Sequence, residues 1–426
     1  MQLDAWLGAL RERNFRYYFV GQLTSAIGSG MTSVALAFAV LADDRSATAL
    51  GVVLTASTVP LAVFLLVGGV IADRFGRRRV MLASDVLRGI AQAVLAAWVF
   101  GGHPPLWGFA LLSALVGTGT AFFVPALTGL IPEVVSAERL SQANALDGLT
   151  ISLGGILGPA VAGVIVAATS PGWAIVADAA SYFASVASLA LLRIPPGAAQ
   201  AATSFVKDLR EGWTEFWSRT WLWAIVLQWS IGNMIIFAPF FVLGALTADR
   251  YLGGATAWGT ILAAQGAGSV LGGLVLLRIR IRRPLFVATA GSLLLIWPLL
   301  ALAYRAPIAV ITAGALVAGV QLALFGVLWN TTMQREIPRA VLSRVSAYDW
   351  FGSLVFLPVG FAIVGPISGV IGLKTTFVVA CIWCVSSAAV VLCIPAVRNL
   401  SSAGAVGTDD TALAASAPPL VTQNEL

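Results

Sequence analysis

Apolar runs of about twenty residues recur along the chain with short polar breaks between them. They fall near residues 17–41, 49–72, 80–100, 106–130, 141–168, 173–192, 221–246, 256–277, 285–303, 307–331, 342–371 and 375–395. At 1.5 Å of rise per residue each run crosses roughly 30 Å of hydrocarbon, some with tilt or surplus turns. Glycines and prolines inside the runs do not argue against helix, because membrane helices tolerate both. The pattern predicts an all-α integral membrane protein with twelve transmembrane helices. Arg11, Glu12, Arg13 and Arg16 lead straight into the first run, so the N-terminus does not read as a cleavable signal.

The longest internal break, 194–220, divides the pattern into six runs plus six. Its first part, IPPGAAQAAT, reads as linker. Its second interleaves Phe205, Val206, Leu209, Trp213, Phe216 and Trp217 with charge and predicts an amphipathic helix on the membrane surface. The expected organisation is a six-helix bundle over 1–193, the linker over 194–220, a second six-helix bundle over 221–397 and a disordered cytoplasmic tail over 398–426. The halves repeat weakly. LSQANALD at 140–147 aligns with LSRVSAYD at 342–349, each after an acidic and basic loop. Gly68–Gly69 and Gly272–Gly273 precede multi-arginine loops at matching places. Two related bundles are a transporter architecture.

Composition sharpens this. The chain is 59% hydrophobic and 10% charged, against about a quarter charged in soluble domains. The formal charge of +6 sits in short loops rather than in a basic groove, which excludes nucleic acid as an expected partner. With the N-terminus inside, twenty of the 25 Lys and Arg residues fall in inner loops. Arg45, Arg250, Arg305 and Lys374 fall in outer ones, and Arg88 lies within a helix. That asymmetry predicts an even number of spans, both termini cytoplasmic, and a multi-pass protein of a bacterial inner membrane. Cys381, Cys384 and Cys393 lie in the last run, without histidines or further cysteines nearby, and read as packing residues; no metal site is expected. His103, in GGHPP, reads as a turn residue.

The stretch Gly68 to Arg79, GGVIADRFGRRR, places Arg74, Arg77, Arg78 and Arg79 in a tight loop between two apolar runs. The arginines anchor it in anionic headgroups. Pure anchoring does not require the carboxylate of Asp73, which can pair with the arginines or face a helix N-terminus. Gly76 permits a sharp reversal and Gly69 a close helix approach. The second-half counterpart, GGLVLLRIRIRRP, has Leu277 where the acid would stand.

With Gly69, Asp73, Arg74, Gly76, Arg77, Arg78 and Arg79 the loop resembles the signature between helices 2 and 3 of the major facilitator superfamily. RNFRYYFVGQLTSAIGSGMTSVALAF and FFVPALTGLIPEVVSAERLSQANAL look like that superfamily's branch of multidrug, macrolide and siderophore exporters. The resemblance spans about residues 10–395. It implies that the loop latches against the start of helix 11, near Ser343 to Asp349, closing the inner face while the exit is open outward. GGILGPAVAG, with Gly154, Gly158, Pro159 and Gly163, resembles the family's antiporter signature in helix 5, with Ala162 in place of one glycine. One departure stands out. The related drug-antiporter branch carries a membrane arginine in helix 4, where LWGFALLSALVGTGTAFFVPALTGLI has no charge.

Five intramembrane charges are candidates for proton coupling. Asp85 and Arg88 share a face at i,i+3, as a structural ion pair or as part of a relay. Asp147 and Asp349 are matched acids two turns inside helices 5 and 11. Either exchanges a proton or pairs with arginines of the opposite half, the pairing being preferred for its closeness to the inner surface. Asp178 lies two turns from the outer end of helix 6 and is the less conventional proton site. For a midplane cavity the candidates are the polar stripe Gln22, Ser25, Ser29 and Thr32, which share a helix face at three-to-four spacing, with Asn233, Phe237, Phe241, Trp329 and Asn330 from the second half. The stripe also suits bonding between neighbouring helices.

The expected function is secondary active export of hydrophobic or amphipathic small molecules, by alternating access and proton antiport, with a siderophore as a variant cargo. No phosphate loop, activated nucleophile or metal cluster points to an enzyme or a cofactor. The expected partners are the small-molecule substrate, protons and membrane lipids, around a monomeric chain. Solute uptake, lipid flipping and a non-transporting scaffold are the rival readings. The charge map makes one prediction by itself: alkaline phosphatase fused after Arg45 is active in a bacterial host and a fusion after Arg398 is inactive. The reverse pattern contradicts the orientation.

Overall fold

The structure is a computed structural model. It describes residues 8–401 apart from Arg45, His103, 194–204, 277–278 and 280. His103, Leu277, Arg278, Arg280, the first part of the linker and nearly all of the tail lie outside the described residues. Of Asp73, Lys207 and Ser343 only the backbone is described.

Among the described residues twelve helices are long and apolar enough to cross a membrane. The first six are α1 (Arg13–Asp44), α2 (Ala47–Phe75), α3 (Arg77–Gly101), α4 (Leu106–Val134), α5 (Leu140–Ala168) and α6 (Pro171–Ala190). The second six are α7 (Thr220–Leu252), α8 (Ala255–Leu276), α9 (Pro284–Ala303), α10 (Ile308–Glu336), α11 (Arg339–Leu354 and Leu357–Ile371) and α12 (Leu373–Cys393). A linker helix, Phe205–Ser218, lies between the sets. Residues such as Val63, Val164, Val370 and Val390 stay exposed on the periphery, as a lipid-facing surface requires.

Local chemistry sets the helix ends. Ser46 caps α2 by accepting from the Ala49 N–H at 3.3 Å. Gly76 ends α2 by donating to the Ala72 carbonyl at 3.0 Å, and its φ of +89° turns the chain directly into α3. A side chain there would be strained, so the reversal depends on glycine. The close approach of α2 to α4 belongs to Gly68, where an added methyl would lie 2.5 Å from the Ala121 carbonyl oxygen. At Gly69 it would meet only Pro125, at an ordinary 3.8 Å. The first apolar run after the linker, 221–246, extends further than its sequence suggests: π turns at Asn233–Phe237 and Ala248–Leu252 carry α7 to Leu252. The single run 342–371 is interrupted at Val355–Phe356, just before Pro358, which has no N–H to continue the ladder.

Two seams join the halves, and both lie toward the end of the molecule away from the arginine-rich loops. In one, α5 meets α8. A methyl on Gly163 would lie 2.9 Å from the Ala255 carbonyl oxygen, and one on Gly266 would lie 2.7 Å from that of Gly155. One on Gly259 would collide with the Pro159 carbonyl. In the other, α2 meets α11: Gly51 lies against the Phe361 carbonyl, Gly365 against Thr48, and Thr55 Oγ1 donates to the Pro358 carbonyl at 3.2 Å. Toward the arginine-rich end α5 and α8 part, leaving a cleft of about 440 Å³ lined by Leu146, Leu149, Ser152, Ser269, Gly273 and Leu274.

The α5–α8 seam yields a prediction. Gly259→Leu overpacks it and disfavours its closure by about 1–3 kcal/mol. With the three native cysteines replaced by serine, Ala255→Cys is buried and labels slowly with a membrane-impermeant maleimide. Adding Gly259→Leu raises that labelling several-fold. Unchanged labelling contradicts a seam that must open as a unit.

Candidate functional site: a cleft, an aromatic wall and a buried charge cluster

The arginine-rich loop is engaged within the first six helices. The Arg77 guanidinium donates to the Gly129 carbonyl at 2.5 Å and pairs with Glu133 at 3.0 Å, both on the last turns of α4. Arg78 donates at 2.7 Å to the Leu189 and Ala190 carbonyls that end α6. These carbonyls lie in the last turns of the two helices, at the negative end of each dipole, so two arginines tie two helix ends and fix the loop's shape. Arg74 lies over the Phe75 ring. The Asp73 carboxylate lies outside the described side chains. Near the predicted latch partner, Arg344 pairs with Glu211 of the linker helix at 2.7 Å, and Trp213 packs on Tyr348 at 5.3 Å between centroids. The linker helix thus rides on the start of α11, and Arg219 ties it to the Glu336 carbonyl at 2.6 Å.

The matched acids take neutral donors from their own halves rather than pairing with arginines of the opposite half. Asp147 on α5 accepts from the Tyr18 hydroxyl of α1 at 2.6 Å. Asp349 on α11 accepts from the Trp329 indole N–H of α10 at 3.0 Å. Trp329 belongs to a continuous aromatic wall. It stacks on Phe325, with centroids 5.9 Å apart, and Phe325 meets Trp229 at 4.2 Å. Trp229 stacks on Phe237 at 5.9 Å, and Trp221 meets Trp329 edge-on at 5.6 Å. The wall follows α7 and α10 for several turns. Phe237 closes the π turn that starts at Asn233, a widening common where a helix serves a site. Asn233 turns its amide to α11, donating at 2.9 Å to the Ser353 carbonyl beside the helix break. Phe241 packs on Phe240, and Asn330 donates back to the Gly326 carbonyl of its own helix. Trp229 and Phe325 were not singled out from the sequence, although the spacing from Phe325 to Trp329 places both on one face of α10.

The polar stripe of α1 divides. Ser29 shares a 3.0 Å hydrogen bond with the Tyr182 hydroxyl, and Thr32 donates at 2.5 Å to Asp178, so both face α6 inside the first bundle. Ser25 is buried and Gln22 half-buried. Asp178 also accepts from the Gln92 amide of α3 at 2.7 Å. One turn away Arg88 pairs with Asp85 and lies over two rings, Phe123 of α4 at 4.2 Å and Tyr182 at 4.5 Å. The cluster therefore gathers three of the five sequence-predicted proton candidates in one bundle, with Asp147 outside it and Asp349 in the other half. Gln92 and Tyr182 complete it, and neither carried a signal in the sequence. Arg88 passes Gly119, where a methyl would lie 2.6 Å from its Cγ. The glycine of uncharged α4 thus makes room for an arginine that α3 supplies.

The helix-5 glycines serve two neighbours. Methyls on Gly154 and Gly158 would lie 2.6 Å from the Ala26 carbonyl oxygen and from Gly30 of α1, whereas Gly163 and the Pro159 carbonyl face α8. Cys384 donates to the Ser292 carbonyl at 3.1 Å and Cys381 is buried beside it, which gives the C-x-x-C a packing role.

Comparison with known proteins agrees with this architecture. The chain is 26% identical to the multidrug efflux pump Tap of Mycolicibacterium fortuitum over 89% of its length and 95% of the relative's. It is 27% identical to the enterobactin exporter EntS of Shigella boydii over 82% of its length and 84% of the relative's. The solved nucleoside transporter NupG superposes with a TM-score of 0.69 at 14% identity, covering 89% of this chain and 98% of that one. A bacterial homologue of the human lysosomal transporter Spinster, inward-facing and unoccupied, gives a TM-score of 0.69 at 13% identity, covering 91% and 97%. At such identities these structures speak for the fold. The family description "Major Facilitator Superfamily" matches residues 18–354. With its twelve spanning helices and paired seams, the chain belongs to the Major Facilitator Superfamily and is a multi-pass membrane transporter of that family.

Proposed function

We propose that the protein exports amphipathic, largely hydrophobic small molecules across a bacterial inner membrane by alternating access, with proton antiport as the energy source. The observation that carries the reading is the asymmetry of the interface between the halves. Glycine-lined backbone contacts seal α5 on α8 and α2 on α11 at one end, and the cleft opens at the other. With the arginine-rich end cytoplasmic by the positive-inside rule, this is a state that loads from the inside. Similarity to an efflux pump and a siderophore exporter favours outward cargo movement over uptake. A siderophore is the variant cargo for the second reason.

In this reading the bundles 1–193 and 221–397 rock about the seams, and the aromatic wall of Trp229, Phe237, Phe325 and Trp329 receives the cargo. Ring faces bind apolar and cationic surfaces without demanding one geometry, which suits varied substrates. The loop from Gly69 through Asp73 to Arg79 acts as a latch toward the start of α11, released while the cleft is open. The linker helix holds Arg344 during that phase. The chain works as a monomer, in contact with membrane lipids.

An efflux-deficient bacterial host tests this with ethidium and a macrolide. Expression lowers steady-state ethidium accumulation several-fold against empty vector. Phe325→Ala with Trp229→Ala weakens binding of a bound dye by about tenfold, within the range for losing two aromatic contacts. Equal accumulation in expressing and empty cells across a broad panel, siderophores included, contradicts export.

A further inference from the structure

The charges sealed inside the first bundle do not balance. Asp85, Arg88 and Asp178 are 0%, 5% and 0% exposed, so two carboxylates face one guanidinium. The elements packed around them add no other charge among the described residues. α1 contributes Ser29 and Thr32, α3 contributes Gln92, α4 contributes Phe123 and Gly119, and α6 contributes Ser181, Ser185 and Tyr182. A net negative charge at this depth is strongly unfavourable. The two acids also differ. Asp85 holds the ion pair with Arg88. Asp178 is surrounded by neutral donors only: Thr32 and Gln92 both bond to the same oxygen, Oδ2, and Ser181, one turn along α6, donates to the Asp178 backbone carbonyl at 2.7 Å. Its Oδ1 is buried without a partner, as are Asp85 Oδ2 and Arg88 Nε.

We infer that Asp178 binds one exchangeable proton on Oδ1, and that this proton, held within the first bundle and away from the cargo cleft, is the coupling ion of transport. A metal cation is a poorer occupant, because Arg88 lies within the same cluster and repels it. The step is a proton transfer: water on one side of the membrane gives up a proton, the Oδ1–H bond forms, and the bond breaks again toward water on the other side. Deprotonation leaves an added negative charge that draws Arg88 toward α6 and tightens the donors on α1. Thr32 and Ser29 sit on α1 around Gly30, whose backbone packs on Gly158 of α5, and α5 makes the seam with α8. Proton binding thus acts on the seam through two backbone-packed helices. The coupling role rests on the transporter reading above; the bound proton does not.

Infrared difference spectroscopy on the full chain in nanodiscs tests the proton directly. An Asp147→Asn/Asp349→Asn background removes the two candidate acids that lie outside this cluster. In that background the protonated-carboxyl carbonyl band persists at a pH where exposed carboxyls are ionised, and it disappears on alkaline titration. Asp178→Asn abolishes it. Asp85→Asn, which leaves one acid against Arg88, also abolishes it. Arg88→Met, which leaves two acids and no cation, raises it about twofold. Persistence of the band in Asp178→Asn, or its absence from the background protein, overturns the assignment. If one variant fails to remain monodisperse, the other two still separate the outcomes. Ethidium transport in vesicles supplies the coupling arm: Asp178→Asn abolishes gradient-driven movement and retains counterflow. Gradient-driven movement unaltered in Asp178→Asn overturns the coupling role. Wild type moving no probe, with the band present, instead contradicts the export reading and leaves the proton site standing.

Discussion

Everything in this structure depends on how closely α5 lies against its neighbours. Gly154 and Gly158 bring its backbone onto α1, and Gly163 and the Pro159 carbonyl bring it onto α8. In hydrocarbon no hydrophobic force drives helices together, so such contacts rest on dispersion and on backbones that approach without side chains between them. These contacts are short-range and uniform, so they can separate and re-form without unpairing a charge. A helix packed this way on two partners transmits a shift from one to the other. Here the partners are the helix that touches the buried charges and the helix that seals the opposite half.

The polar groups are arranged around that constraint. Charges that must stay inside the bilayer are withdrawn into the first bundle, where Arg88 is enclosed by Asp85 and two aromatic faces. Elsewhere the second half keeps an aromatic wall on α7 and α10, and each half keeps an acid that takes a hydrogen bond from a neighbouring helix. In the proposed mechanism this separation allows a cargo site with loose requirements and, apart from it, a charge site with strict ones. At the arginine-rich end Arg77 and Arg78 tie the ends of α4 and α6, so the loop is held to its own bundle while the cleft is open.

The sequence carried the span count, because long apolar runs have one structural outcome in a bilayer. It carried Gly76 as the reversal and the glycines of α5 as contact positions, because both follow from the absence of a side chain. It was less informative wherever the partner mattered. The stripe of Ser29 and Thr32 could be recognised as one face of α1, but periodicity does not say which neighbour a face meets, and that neighbour is α6. Asp178 stood out as an acid in an apolar run, whereas Gln92 and Tyr182 are unremarkable until folding brings them together. The break in α11 reflects Pro358 together with the Asn233 amide that takes up a carbonyl beside it, a pairing over 120 residues of chain that no local pattern encodes.

Paired electron-electron distances across the two ends of the α5–α8 seam test the central claim most directly. One spin-label pair at Ser141 and Val275 reports the arginine-rich end, and a second at Thr169 and Thr256 reports the sealed end. As pH and a transported dye are varied, the account predicts reciprocal change: the first distance shortens as the second lengthens. Two distances that stay fixed, or that lengthen together, would contradict it.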